Sequence, residues 1–240
     1  PLHRLSVEDN LYTQEHQDLA REAVRKSLVL LKNENNVLPL DKGQKIFLTG
    51  PGADNVGLQL GGWSRYWQGT TDADFGYGNS IYDAFIEVLT ANGGEIVTNY
   101  NDADVVVVVL TEDPYAEGNG DNDNLTLTTG NASAGNAAAL QTALAAHNAG
   151  KQVVGVLISG RPLILGDHLD SFDGFIAAWL PGSEGGHGIA DVMFGDYDFT
   201  GKLSFTWPIA LNQVGETSND AGYNPADYQY PYGYGLKYNN

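Results

Sequence analysis

The sequence predicts an α/β fold: a doubly wound, mostly parallel sheet of about six strands sandwiched by helices, with an irregular tail rich in tyrosine and glycine. Three observations predict it. Uninterrupted apolar runs, such as the five valines and a leucine from Val105 to Leu110, suit strands buried on both faces. Stretches of helical periodicity lie between those runs. Several runs stop at a turn-forming pair, as at Gly50-Pro51, Ser159-Gly160 and Pro181-Gly182.

The elements follow in order. Leu19, Ala23, Val24, Ser27, Leu28 and Leu31 share one face at helical spacing, which predicts a first helix from Gln14 to Lys32, ended by Asn33-Glu34-Asn35-Asn36. Val37-Leu38-Pro39-Leu40 reads as extended. Strand-like runs come next at Lys45–Thr49, at Glu95–Thr98 after Gly93-Gly94, and at Val105–Leu110, Gln152–Ile158 and Gly174–Trp179. Helical patterns occupy 80–91, 132–149 and 188–194. Lys202–Pro208 reads as an edge strand, because Pro208 has no N–H to give a ladder. A polar loop at 212–227 leads to the aromatic, glycine-rich stretch Gln229–Tyr238. No repeat or low-complexity linker divides the chain, so 1–40 is read as a linker and first helix leading into a sandwich domain at 41–240.

Composition narrows the chemistry. Thirty acidic residues against twelve basic give a net charge of −18, which repels phosphate backbones and anionic lipid head groups. Nucleic-acid and membrane-surface partners are therefore not expected, whereas a neutral sugar is compatible. With no cysteine, disulfides, thiolate catalysis and Cys-zinc sites are excluded. No apolar run approaches the ~18 residues of a membrane span. Pro1-Leu2-His3-Arg4 lacks a signal-peptide pattern and reads as the middle of a longer chain. Acidity and missing cysteines lean toward a periplasmic or secreted setting. The histidines His3, His16, His147, His168 and His187 show no paired ligand spacing, so neither metal nor cofactor is expected. The glycines before Gly188, in Ser183-Glu184-Gly185-Gly186-His187, could serve an anion at a helix start or close helix–sheet packing.

Ligands of open α/β sheets bind beyond the carboxyl ends of the strands. That rule directs attention to the loops after Thr49, Leu110, Ile158 and Leu180, and two segments stand out. Thr111–Asp121 carries Glu112, Asp113, Glu117 and Asp121, whose crowding should raise at least one carboxyl pKa into the range of a general acid. It also fits a solvated acidic turn. A calcium loop beginning at Asp121 is set aside because Leu125 occupies its fifth position. The second segment, Gly61-Gly62-Trp63-Ser64-Arg65-Tyr66-Trp67-Gln68-Gly69, sets two tryptophans among glycines where no apolar period would bury them. Such faces stack on sugar rings, unless both are ordinary core tryptophans.

Several motifs, in order along nearly the whole chain, complete the picture: Leu30-Leu31-Lys32-Asn33-Glu34 with Leu38-Pro39-Leu40, Gly61-Gly62-Trp63 with Trp67-Gln68-Gly69, and Pro114-Tyr115-Ala116-Glu117 with Gly120-Asp121. Trp179-Leu180-Pro181-Gly182 with Gly185-Gly186, Ala190–Tyr197 with Gly201-Lys202-Leu203, and Pro231–Leu236 follow. Together they resemble the second domain of glycoside hydrolase family 3 β-glucosidases and exo-β-glucanases. The resemblance implies that Glu117 is the catalytic acid/base, that Trp67 and Trp63 line the site of the leaving sugar, and that Tyr115, Asp121 and Glu112 support the loop. It further implies a β-glucan oligosaccharide or β-glucoside substrate. The nucleophilic aspartate would belong to a (β/α)8 barrel preceding Pro1, which needs about 250 residues of its own. Ser64-Arg65-Tyr66 departs from a pattern that varies among related enzymes, so linkage preference stays open. The competing expectation is a non-catalytic carbohydrate-binding module. A receiver-type signalling domain would need an acidic cluster after the first strand, where Gly50-Pro51-Gly52 stands instead.

Overall fold

The computed structural model describes residues 12–73, 76–216 and 218–238. The first eleven residues of the expected lead-in, His3 among them, lie outside the described residues. Helix α1 (Gln14–Ser27) starts at Thr13, whose hydroxyl accepts from the His16 N–H. It ends earlier than its pattern implies. Val29–Asn33 is strand β1, where a helix to Lys32 was expected. The reason is tertiary: Val29, Leu30 and Leu31 are all fully buried, with Leu30 packed into one core layer and Val29 and Leu31 into the other. That alternation is a strand's period, and a short apolar run cannot be told from a helix segment until its burial is known.

The remaining strands fall where the apolar runs place them: β2 (Lys45–Thr49), β3 (Glu95–Ile96), β4 (Val105–Thr111), β5 (Gln152–Ile158) and β6 (Gly174–Trp179). Between them lie α2 (Val56–Leu60), α3 (Ile81–Asn92) and α4 (Asn136–Asn148); α5 (Gly185–Met193) follows β6. Ser80 and Asp83 form a capping box that starts α3, and Gly93 closes it in the left-handed conformation at φ 83°. The six strands form one sheet in the order β1-β6-β5-β4-β2-β3. All neighbours pair in parallel except β1, which runs antiparallel to β6.

Strand β4 separates two hydrophobic layers. Val105, Val107 and Val109 face α1, α3 and α5, while Val106, Val108 and Leu110 face α4. The chain leaves β2 toward β3 on one side, then returns to β4 on the other. The topological switch point therefore lies between β2 and β4, and their carboxyl ends open a crevice there.

Residues 202–208 do not form the expected edge strand. Trp207 is fully buried and makes one isolated bridge to Tyr230, while its indole N–H donates to Leu163 O over 2.8 Å. The outer edge on that side is β1 itself. The carboxyl-terminal residues cover it: Leu236 N–H donates to Leu30 O over 2.9 Å, and Tyr234 Oη to Leu31 O over 3.2 Å.

Candidate active site

The two segments singled out in the sequence leave the two strands that flank the switch point. After β2, Asn55 caps the short helix α2 by accepting from Leu58 N–H over 3.0 Å. The chain then turns at Gly61 into a tight loop, closed by Trp63 N–H to Trp67 O at 2.9 Å and by Ser64 Oγ to Leu60 O at 3.0 Å. Trp63 and Trp67 keep 70% and 54% of their surface exposed, which removes the core-tryptophan alternative. Their ring centroids lie 6.3 Å apart, with planes inclined by 54°. Trp63 and Arg65 hold φ values of 59° and 56°, left-handed conformations that a bulky residue keeps only when its surroundings dictate them.

The acidic loop leaves β4 directly. Asn136, at the start of α4, fixes the end of that strand by accepting from Thr111 N–H and donating to Thr111 O and Leu127 O. Glu112 points inward and is buried. Pro114 and Tyr115 carry the chain outward, and Glu117 opens a single helical turn (Glu117–Gly120) with its side chain exposed and φ at 52°. Among the described residues no ion pair holds Glu117.

The two loops are docked on each other. Ala116 N–H donates to Gln68 Oε1 over 2.9 Å. Gly62 lies so close to Tyr115 that a Cβ there would stand 2.0 Å from the Tyr115 carbonyl oxygen. Glu117 and the tryptophan pair are thus carried by segments in direct contact.

The carboxylates do not crowd one another as expected. Glu112 is turned into a cluster of its own, where Arg161 Nε donates to Oε1 over 3.0 Å and Gly160 N–H and Tyr115 Oη each donate to Oε2 over 3.0 Å. Glu117 and Asp121 face solvent instead. Burial pushes the Tyr115 phenol pKa up, and the negative charge of Glu112 adds to the rise. Of the expected supporting residues, Glu112 and Tyr115 come together in this cluster. Asp121 stands at the far end of the turn, where its N–H donates to Gly118 O.

Sequence reasoning quoted Gln68 within a motif without assigning it a role, and missed two residues here, Asn131 and Arg161. Arg161 follows β5, at one of the strand ends already marked, so its position was a signal although its partners were not. Among the described residues no group of three or more His, Asp or Glu could hold a metal. The glycines at the start of α5 serve packing between helices rather than against the sheet: a Cβ on Gly186 would meet Ser80 O at 2.1 Å, and one on Gly188 would meet Val24 of α1 at 2.5 Å. Among the described residues no helix is long and apolar enough to cross a membrane.

Known proteins share this fold. The family model of the glycosyl hydrolase family 3 C-terminal domain matches residues 28–238. The chain belongs to this family. As a family 3 C-terminal domain it is 34% identical over 235 residues to the "Lysosomal beta glucosidase" of Dictyostelium discoideum, covering 88% of this chain and 28% of that protein. It is 31% identical to the "Periplasmic beta-glucosidase" of Salmonella typhimurium, covering 97% of this chain and 36% of that protein. Among solved structures, the exo-1,3/1,4-beta-glucanase of a Pseudoalteromonas species superposes with a TM-score of 0.85 at 42% identity, covering 95% of this chain and 29% of that one. The family 3 domain described here thus spans about a third of the length of these relatives.

Proposed function

We propose that this domain is the acid/base half of a retaining β-glucosidase or exo-β-glucanase. Glu117 supplies the proton, Trp63 and Trp67 form the platform for the leaving sugar, and a nucleophilic aspartate stands on a (β/α)8 barrel outside this chain. The observation that carries the reading is the placement of Glu117. It is an exposed carboxyl group, without an ion-pair partner among the described residues, at the tip of a loop bonded to the loop that bears the tryptophans.

In the proposed reaction Glu117 hands its proton to the glycosidic oxygen as the bond from that oxygen to the anomeric carbon breaks and the aspartate attacks the carbon. The aglycone leaves as an alcohol. Glu117, now a carboxylate, takes a proton from water as the water oxygen adds to the anomeric carbon and displaces the aspartate. Retention requires the two carboxyl groups to stand about 5–5.5 Å apart, so catalysis depends on how the two domains meet. Relatives named as lysosomal and periplasmic, together with the acidic, cysteine-free composition, support a site of action outside the cytoplasm.

The test is Glu117→Gln in the full-length enzyme. Hydrolysis of cellobiose or laminaribiose should fall about 10²–10⁴-fold. Dinitrophenyl β-glucoside, whose leaving group needs no proton, should keep its kcat/KM, and azide should restore turnover by replacing water as the acceptor. Full activity of Glu117→Gln on cellobiose would sink the assignment.

A further inference from the structure

We infer that Arg161 is the positioning residue for Glu117, holding the acid-bearing loop in its working shape from the end of the neighbouring strand β5. The inference rests on the reading of Glu117 given above. Arg161 stands three residues beyond Ile158, the last paired residue of β5, and each donor of its guanidinium is directed at a different part of the site. Nε donates to Glu112 Oε1 over 3.0 Å, at the point where the loop leaves β4. Nη1 donates to the carbonyl of Gly120 over 2.6 Å, at the last residue of the turn that Glu117 begins. Nη2 donates to Asn131 Oδ1 over 2.8 Å, and the Asn131 amide in turn donates to Asn119 O over 3.0 Å. The central carbon of the guanidinium lies 4.5 Å from the centre of the Tyr115 ring. One side chain therefore grips the loop before Glu117, beneath it and after it.

Charge neutralisation of Glu112 alone would not require this arrangement. A lysine could pair with Glu112 as a point charge, but only the planar fork of arginine meets three acceptors in three directions while stacking on a ring. A second observation is independent of Arg161. Glu117 sits at φ 52°, a conformation that a residue with a Cβ adopts only where neighbouring contacts impose it. The contacts available to impose it are the Ala116–Gln68 bond just before Glu117 and the Arg161–Gly120 and Asn131–Asn119 bonds just after. Removing the guanidinium frees the second side, and the carboxyl group then samples positions away from the glycosidic oxygen.

The experiment compares substrates that need the proton with substrates that do not. In the full-length enzyme, Arg161→Met should lower kcat/KM for cellobiose by about 10–100-fold, the scale of a misplacement near 1 Å. For dinitrophenyl β-glucoside it should change kcat/KM by less than about threefold, because a purely structural loss would not follow leaving-group ability. Arg161→Lys should fall between the two, since it keeps the charge beside Glu112 but not the fork. If Arg161→Met fails to fold, the double variant Glu112→Gln/Arg161→Met removes the unpaired buried carboxylate and provides the same comparison. Equal losses on both substrates, or undiminished cellobiose hydrolysis, overturn the positioning role. Glu117→Gln, run alongside, separates the two levels. If it discriminates between leaving groups and the Arg161 variants do not, only this inference falls; if it does not discriminate, the acid assignment falls and takes this inference with it.

Discussion

The backbone N–H of Ala116 donates to Gln68 Oε1 across 2.9 Å, so one bond joins the residue before Glu117 to the residue after Trp67. The two partners arrive from different strands, β4 and β2, on either side of the switch point. The side-chain amide of Gln68 thus joins the acid's loop to the aromatic platform, beside the close packing of Gly62 on Tyr115.

Gln68→Ala leaves the N–H of buried Ala116 without an acceptor, at a cost of about 1–3 kcal/mol. Gln68→Glu keeps the acceptor. The alanine variant should melt lower and lose more cellobiose hydrolysis than the glutamate variant. Identical thermal and kinetic behaviour of the two would show that this bond does not join the loops.

Gly62→Ala should be damaging out of proportion to one methyl group. Its Cβ would lie 2.0 Å from the Tyr115 carbonyl oxygen, a backbone atom that cannot yield without moving the loop. Overpacking of this kind costs about 1–3 kcal/mol, measurable by urea unfolding. Gly118→Ala is the stability control, because its Cβ would meet nothing within 4 Å.

Asn136→Ala removes three buried hydrogen bonds at once. The Thr111 N–H, Thr111 O and Leu127 O lose their side-chain partner beneath the acidic loop. Thr111 O keeps the N–H of Ser133, so two groups are left unsatisfied, and at about 1–3 kcal/mol for each a loss of at least about 2 kcal/mol in denaturant unfolding is expected. A loss below about 1 kcal/mol would mean that water replaces the amide there.

Alkaline pH should destabilise the domain. Burial pushes the phenols of Tyr115, Tyr230 and Tyr238 above their ordinary value of 10, and burial together with a hydrogen bond to Glu184 pushes Tyr12 to about 12. A raised phenol pKa means that the folded state keeps its protons after the unfolded state has lost them. The contribution of these tyrosines is thus complete below about pH 10 and declines as pH rises through the window up to their folded values, near 12 for Tyr12. Unfolding free energies between about pH 9 and pH 11 should fall, and Tyr230→Phe should make that fall shallower. An unchanged slope in Tyr230→Phe would remove Tyr230 from this account.

Much of the architecture could be read from the chain because its strands are extreme. A run such as Val105–Leu110 is apolar on both faces, and that suits little besides the middle of a parallel sheet. Helix α3 announced its own ends through Ser80 and Gly93. Strand β1 escaped because Leu28–Leu31 continues the helical pattern of α1 without a break, and only burial between two layers decides otherwise. The segment around Trp207 was misread because Leu203, Thr206 and Trp207 are buried against the core while, among the described residues, its only ladder partner is an isolated bridge from Trp207 to Tyr230. At the site, exposure of the tryptophans followed from their glycine-rich surroundings. The Arg161 cluster did not, since its partners lie 30 to 49 residues away in sequence. Nor could spacing reveal that Glu112 turns inward while Glu117 turns out.

The bridge between Leu30 and Leu236 has a consequence for the birth of the molecule. Synthesis runs from amino to carboxyl end, so β1 and all its sheet neighbours exist well before the residues that seal its outer side. Throughout that interval β1 offers unpaired backbone groups to any passing strand, including one from another nascent copy. The hazard of aggregation is thereby concentrated in the interval between the synthesis of β6 and that of Leu236, and a chain cut short before Leu236 would carry it permanently.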